Sequence, residues 1–396
     1  MSLCPEGMSI LRDRNVGQGN AADPPMGRRP VVPCGPVLAR LRLFILIAAA
    51  GLPGCGGGSP TSPGPPVQTY PVTAVVFYDE NGNGVLDATE AVRLPEVDVD
   101  VFGHVGRSEK LTGRAVVNGI PAGSYAVSLK GPSLPPFYAP ASPPPISVPQ
   151  AAGAEADVPV TLPIGDNVPN TYLAFGDSIT VGEGSHSTDG YRNVVEELLA
   201  QNMGGRHRVI GDGDSGTTSE KGSNRIEASL RRNHPAYLLI LYGTNDWNKA
   251  ACKTAEPPCF TIDNLRFMIQ AAKAVRTLPV ISTIIPANPA ESPPERNQWV
   301  AAMNDKIKAM ARQEGAVVAD SYAAFTKAGN LPSLFNGPVH PNDAGYQLIA
   351  GAFFIAIARP PAATGSRSGI PSLFLAPAAT SRGPVTRIAA PSGAVP

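Results

Sequence analysis

Two side chains in this sequence have the types that nucleophilic acyl transfer requires. Ser178 stands in the block Gly-Asp-Ser-Ile-Thr-Val-Gly, and His340 stands in His-Pro-Asn. Two further polar blocks lie between them, Ser-Gly-Thr-Thr-Ser with Gly216 and Gly-Thr-Asn-Asp with Asn245. Acyl transfer needs a nucleophile, and a base that takes its proton and returns it to the leaving alcohol. The sequence therefore predicts Ser178 as nucleophile and His340 as general base.

The elements that would position these blocks are strands alternating with amphipathic helices from residue 171 onward. The predicted strands are 171–176, 207–211, 236–241, 279–285 and 315–319, and the predicted helices include 191–202, 263–275, 294–314 and 343–357. Such alternation is typical of a doubly wound α/β domain. Ligands bind at the carboxyl ends of the strands in these sheets, and the first three blocks each follow a predicted strand.

The order and spacing of the four blocks resemble those of the SGNH (GDSL-like) hydrolases over residues 171–358. A lone Gly-Asp-Ser also occurs in ordinary turns, so the joint occurrence carries the resemblance. It implies a three-layer, flavodoxin-like parallel sheet and hydrolysis of short-chain acyl esters of carbohydrates, lipids or small alcohols through an acyl-enzyme. It further implies that the Ser178 and Gly216 N–H groups and the Asn245 amide surround the oxyanion, with no cofactor for catalysis.

The sequence departs from this family next to the histidine. The family acid lies three residues before the base, where this chain has Gly337. A Ser-His dyad is therefore predicted, with the His340 tautomer held by a backbone carbonyl of the 336–338 turn or by the Asn336 side chain. Asp320 is a weaker substitute because it could equally cap a helix. The alternative function is a catalytically impaired cell-surface interaction protein with a calcium-stabilised β domain.

Residues 71–163 alternate short β-type runs with Gly/Pro turns, which predicts a small all-β sandwich. Within it, residues 79–90 match the twelve-residue calcium loop, in which oxygen ligands suit a hard cation. The predicted ligands are Asp79, Asn81, Asn83, the Val85 carbonyl, Asp87 and Glu90. The stretch resembles the B-type repeats of Gram-positive adhesins, which implies a structural calcium ion. An Asx-rich turn without an ion remains the alternative.

The N-terminal region has the order of an export signal. Arg28, Arg29, Arg40 and Arg42 precede the apolar run 43–50, which is too short to span a bilayer. The run ends in Leu-Pro-Gly-Cys, which resembles the lipobox of bacterial lipoproteins and implies acylation of Cys55. Translation starting at Met26 would place this signal at the N-terminus. The expected location is the bacterial cell envelope, with the membrane contacted through the lipid anchor.

Cysteine and charge content bound the remaining chemistry. Only Cys252 and Cys259 fall in the predicted folded part, and an exported chain favours a disulfide between them over two free thiols. Basic and acidic side chains balance at 32 each, and no Lys/Arg run outside the N-terminus could neutralise a phosphate backbone. An ester substrate is therefore the expected partner, and nucleic acid is not.

Pro and Gly cluster at residues 51–66, 131–150 and 359–396, which marks candidate linkers and a tail. Together with the strand and helix patterns, these clusters divide the chain into six segments. The predicted organisation is a pre-sequence (1–55), a linker (56–70), the β-sandwich (71–163), a second linker (164–170), the α/β domain (171–358) and a disordered tail (359–396).

Overall fold

The computed structural model of the chain describes residues 66–360. The predicted pre-sequence with Cys55, most of the first linker and nearly all of the predicted tail lie outside these residues. All described residues belong to one compact unit. Within 66–360, no helix combines the length and the apolar character needed to cross a bilayer.

The first part of the described chain consists of short strands. In chain order they are β1 (Thr69–Tyr78), β2 (Asp98–Val101), β3 (His104–Arg107), β4 (Arg114–Pro121), β5 (Gly123–Tyr125), β6 (Val127–Leu129), β7 (Ala139–Pro140), β8 (Ile146–Val148) and β9 (Ala156–Thr161). One sheet has the order β4-β1-β9-β7, another has β3-β2-β6, and β5 pairs with β8. Alternate residues of β1, namely Val72, Ala74 and Val76, are fully buried and contribute to an apolar core.

The second part alternates strands with helices. Its strands are β10 (Val168–Gly176), β11 (Arg208–Gly213), β12 (Pro235–Leu241), β13 (Leu278–Ser282), β14 (Val317–Ala319), β15 (Phe335–Asn336) and β16 (His340–Pro341). Its helices are α1 (Ser178–Val181), α2 (Arg192–Met203), α3 (Ser219–Asn233), α4 (Thr261–Ala274), α5 (Pro294–Glu314), α6 (Ser321–Ala328) and α7 (Asp343–Ala358). Strands β10 to β14 form a parallel sheet in the order β11-β10-β12-β13-β14, which confirms the predicted α/β fold.

Helices cover both faces of this sheet, as the alternation along β10 shows. Tyr172 and Ala174 pack in one apolar cluster with side chains of α2 and α7. Leu173 and Phe175 point to the opposite face and pack with side chains of α3, α4 and α5. A parallel sheet covered on both faces needs strands that are apolar throughout, and every residue of β12 is buried. The first three polar blocks follow the carboxyl ends of β10, β11 and β12.

The two parts of the chain are joined by direct contacts. The Arg93 amide donates to the Met203 carbonyl at 2.7 Å, and the Phe137 ring lies 6.2 Å from that of Tyr237. One apolar cluster contains side chains from both parts. The predicted linkers also end inside strands, since β1 begins at Thr69 and β10 begins at Val168. The strand-rich part therefore packs directly against the α/β part.

Candidate active site

Ser178 lies where the chain turns sharply from β10 into the single-turn helix α1. The Asp177 side chain caps this helix by accepting the Ile179 N–H at 3.0 Å. At the other end, Gly182 has φ +103° and donates its N–H to the Ser178 carbonyl at 3.1 Å. A side chain at Gly182 would come within 2.4 Å of the Thr188 carbonyl, so only glycine fits there. These contacts fix the Ser178 backbone at the carboxyl edge of the sheet.

His340 meets Ser178 directly, with Nε2 2.9 Å from the Ser178 Oγ. The histidine belongs to the short ladder of β15 and β16, in which it pairs with Asn336. Two residues later Asn342 caps α7, because its side chain accepts the Gly345 N–H at 3.2 Å. A ladder on one side and a helix start on the other therefore hold the imidazole against the serine, across 162 residues of sequence.

Asn245 and Gly216 lie at the same edge of the sheet. The Asn245 Nδ2 donates to the Thr217 carbonyl at 3.0 Å and lies 3.4 Å from the Asp177 carboxylate. Asn245 thus touches the neighbour of Gly216 and the neighbour of Ser178. Gly216 has φ +71° and open space where a Cβ would stand. Within residues 66–360 its N–H donates to no backbone carbonyl, so this donor remains available to a bound molecule.

Two buried carboxylates, those of Asp246 and Asp177, hold neighbouring parts of these blocks together. Asp246 is fully buried and accepts the Ser219 N–H at 2.8 Å and the Thr261 hydroxyl at 2.7 Å, which ties the third block to the starts of α3 and α4. Burial raises the pKa of Asp246. Asp177 is 1% exposed, and burial raises its pKa to about 7, with the nearby charge of Asp246 adding to the effect.

The groups predicted to hold the His340 ring make other contacts. The Asn336 Nδ2 donates to the Gly184 carbonyl at 2.6 Å, and the Gly337 and Pro338 carbonyls accept from Asn288 at 3.3 and 2.9 Å. Asp320 caps α6 by accepting the Ala323 N–H at 3.1 Å, and it lies 2.7 Å from the Lys308 ammonium. Among the described residues none of these groups has a hydrogen bond to the imidazole, so the support expected for the His340 tautomer is not observed.

A carboxylate that the sequence reasoning missed lies beside His340. The Glu183 Oε2 is 3.3 Å from the His340 Nε2, and the Glu183 Oε1 accepts the Ser215 hydroxyl. Glu183 follows Ser178 by five positions, directly after the turn glycine of the first block. The available signal was only its position directly after the first block, which must fold around the nucleophile.

Cys252 and Cys259 form a disulfide. It closes the loop that follows the third block, and in this loop the Lys253 ammonium lies 3.9 Å above the centre of the Trp247 ring. The disulfide therefore closes a loop that follows Asn245 and Asp246 in the sequence and lies next to them in the fold.

The loop after β1 carries the predicted calcium ligands. Asp79 is 3% exposed and Glu90 is 2% exposed, and both carboxylates accept backbone N–H groups of the loop. The amides of Asn81 and Asn83 both donate to the Asp87 Oδ2, at 2.7 and 2.8 Å. The side chains are oxygen donors of the kind that calcium takes, which fits the predicted ion. Within residues 66–360, however, no group of three His, Cys, Asp or Glu side chains has a metal-binding arrangement.

Residues 174–348 match the model of the GDSL-like Lipase/Acylhydrolase family. Among solved structures, a GDSL-like lipase from Bacteroides thetaiotaomicron is 24% identical over 46% of this chain and 85% of its own, with a TM-score of 0.37. TesA is 24% identical over 47% and 97%, with a TM-score of 0.40. A catalytic mutant of Axe2, an acetylxylan esterase from Geobacillus stearothermophilus, is 25% identical over 48% and 94%, with a TM-score of 0.41.

Among curated proteins, no sequence matches this chain. The family match spans all four blocks, from Ser178 to His340. Residues 174–348 are therefore similar to GDSL-like lipases and acylhydrolases. With a serine hydroxyl 2.9 Å from an imidazole nitrogen at the carboxyl edge of a parallel sheet, the chain is an ester hydrolase.

Proposed function

We propose that the chain hydrolyses short-chain acyl esters of carbohydrates, lipids or small alcohols through an acyl-enzyme on Ser178. The observation that carries the proposal is the distance of 2.9 Å between the Ser178 Oγ and the His340 Nε2. In the first step Oγ bonds to the ester carbonyl carbon while its proton passes to Nε2. His340 then protonates the departing alcohol oxygen, and water repeats the sequence to release the acid.

The negative charge of the tetrahedral intermediate would be met by three donors. These are the N–H groups of Ser178 and Gly216 and the Nδ2 of Asn245. Support comes from the open side of Gly216 and from the contacts of Asn245 with Asp177 and Thr217. Removing one such donor from a hydrolase typically costs about 2.7 to 4 kcal/mol of transition-state stabilisation.

Because the proposed substrates carry short acyl groups, hydrolysis of p-nitrophenyl acetate should exceed that of the octanoate.

The test of the reaction is Ser178→Ala in the full chain, assayed with p-nitrophenyl acetate. Loss of the nucleophile should lower kcat by about 10³-fold or more. Ser128→Ala, an exposed serine of β6, is the matched control and should keep wild-type turnover. Equal rates for wild type and Ser178→Ala would contradict the esterase and favour the alternative, a catalytically impaired surface interaction protein.

We further propose that the strand-rich part is a β-sandwich whose 79–90 loop binds a structural calcium ion. The Glu80 Oε1 accepts the Asn170 Nδ2 at 2.7 Å, which links this loop to the start of β10. Calcium should therefore raise the melting temperature of the whole chain, because a ligand bound only by the folded state stabilises it. The rise should shrink in Asp87→Asn. No rise in the wild type would contradict the site.

We also propose export and a lipid anchor on Cys55 at the bacterial cell envelope. The support is the order of arginines, apolar run, Leu-Pro-Gly-Cys and Gly/Ser/Pro-rich segment in the sequence. In a bacterial host the wild type should sediment with membranes, and Cys55→Ser should not. Equal membrane fractions for the two proteins would argue against acylation.

A further inference from the structure

The family acid is absent at Gly337, yet the structure brings one carboxylate to the reacting nitrogen. The Glu183 Oε2 lies 3.3 Å from the same His340 Nε2 that faces Ser178. The second oxygen of Glu183 accepts the Ser215 hydroxyl. The hydrogen bond from Ser215 orients the carboxylate, although the Glu183 side chain is 41% exposed.

The backbone at Glu183 is held by hydrogen bonds and by close packing. Its N–H donates to the Ser178 carbonyl at 3.1 Å, and its carbonyl accepts the hydroxyl of Tyr346 at 2.7 Å. Tyr346 is itself 1% exposed. At the next position, a Cβ on Gly184 would lie 2.5 Å from the Pro341 carbonyl. The turn therefore packs directly on the strand that holds His340.

We propose that Glu183 is a positioning residue that stabilises the His340 imidazolium from the Nε2 side, in place of the acid missing at Gly337. Before proton transfer, its carboxylate faces a nitrogen lone pair and gains nothing. Once the Ser178 proton has moved to Nε2, the carboxylate faces a cationic N–H and attracts it. An interaction that is stronger after proton transfer lowers the barrier, so it acts on kcat more than on KM.

The inference rests on the proposed esterase reaction, and Glu183→Gln in the full chain tests it. The amide keeps the shape and removes the charge. We expect kcat for p-nitrophenyl acetate to fall about fivefold, the upper range for a half-exposed ion pair, while KM and the melting temperature stay within about twofold and a few degrees of wild type. Glu183→Asp, which keeps the charge, is the matched control and should retain more of the turnover than Glu183→Gln.

A salt titration separates charge from a structural role. Raising the ionic strength to about 1 M shortens the screening length to about 3 Å, so it should lower the wild-type kcat toward that of Glu183→Gln and leave the variant nearly unchanged. Wild-type turnover in Glu183→Gln would overturn the inference, as would equal salt responses. If Ser178→Ala is inactive in the same assay, that outcome contradicts the role of Glu183 alone; if Ser178→Ala is active, the proposed reaction itself fails.

Discussion

An aspartate follows the first strand of each part of the molecule, Asp79 after β1 and Asp177 after β10. Both are buried, at 3% and 1% exposure. Asp79 accepts backbone N–H groups from three successive residues, at 2.7, 3.2 and 2.9 Å. Asp177 accepts the backbone N–H of Ile179 at 3.0 Å and the Asn245 amide at 3.4 Å.

The difference shows how donor count sets the role of a buried carboxylate. Around Asp79 the loop turns its amides inward, which orders the loop around a negative charge. Beside Asp177 fewer donors replace the lost water, so burial raises the pKa of Asp177 to about 7. Near Ser178, the Gly216 N–H donates to no backbone carbonyl within residues 66–360. In the 79–90 loop the backbone N–H groups bond to Asp79 and stabilise the fold, whereas near Ser178 the Gly216 N–H has no such acceptor in the described part of the chain.

Asp79→Ala should have the largest effect on stability. Three part-buried N–H groups lose their acceptor, at roughly 1 kcal/mol each, so we expect the free energy of unfolding to fall by about 3 kcal/mol. Because the two parts share one apolar cluster, the whole unit should melt earlier. Thermal melting followed by circular dichroism measures this, and kcat per folded molecule should not change.

Asp87→Ala is the matched control for that experiment. Asp87 lies in the same loop, but it accepts the side-chain amides of exposed Asn81 and Asn83, and such bonds contribute about 1 kcal/mol or less. Equal melting temperatures for the two alanine variants, in metal-free buffer, would contradict the view that Asp79 organises the loop.

Asp177→Asn should change the pH dependence of stability. Burial raises the pKa of Asp177 to about 7 in the folded chain, against an ordinary value of 3.8, so the unfolded chain loses its proton first as pH rises. The contribution of this group to stability is therefore complete below the unfolded pKa and is lost as pH rises toward 7. Between pH 5 and pH 8 the wild type should lose about 2 kcal/mol that the variant keeps.

The measurement is the difference in melting temperature between pH 5 and pH 8, which should be smaller in Asp177→Asn than in wild type. Asn retains the oxygen that accepts the Ile179 N–H, so the helix cap survives. Asp305→Asn, an exposed aspartate of α5, should keep the wild-type difference. A wild-type difference in Asp177→Asn would show that burial of Asp177 does not set this dependence.

Local sequence predicted most of the active-site edge. Helix α5 has the predicted bounds of 294 and 314, and the first three blocks follow strands because buried parallel strands have apolar sequences that end at polar turns. The partner of His340 was not predictable in this way. Glu183 reaches the imidazole only through a contact between distant segments, and the glycines on either side of it gave no indication of which way its side chain points.

The relation between the two parts was also hidden in the sequence. Tyr172 and Tyr237 stack with ring centres 5.1 Å apart, and Phe137 of the strand-rich part lies against Tyr237. Periodicity predicts that these aromatic side chains are buried, but it does not distinguish a domain's own core from a contact with another part. The sequence therefore predicted a β-sandwich and an α/β domain, but it did not predict that the two parts pack against each other through these aromatic side chains.

Gly337→Asp should have the smallest effect on stability. It extends the comparison to a carboxylate that has no hydrogen-bond donors arranged around it. Gly337 has φ +85° and no atom within 4 Å of an added Cβ. The side chain therefore has room, and the left-handed backbone costs about 1 kcal/mol, which Asp tolerates better than most residues. Gly337→Asn carries the same strain without the charge and is the matched control.

The ratio of kcat between Gly337→Asp and Gly337→Asn isolates the effect of the new charge on His340. With Glu183 present this ratio should stay below about twofold, because a half-exposed carboxylate already supports the imidazolium. In the Glu183→Gln background the ratio should rise, since the new carboxylate then replaces the lost one. Equal ratios in the two backgrounds would mean that residue 337 and Glu183 act independently, and that the two positions do not serve the same cation.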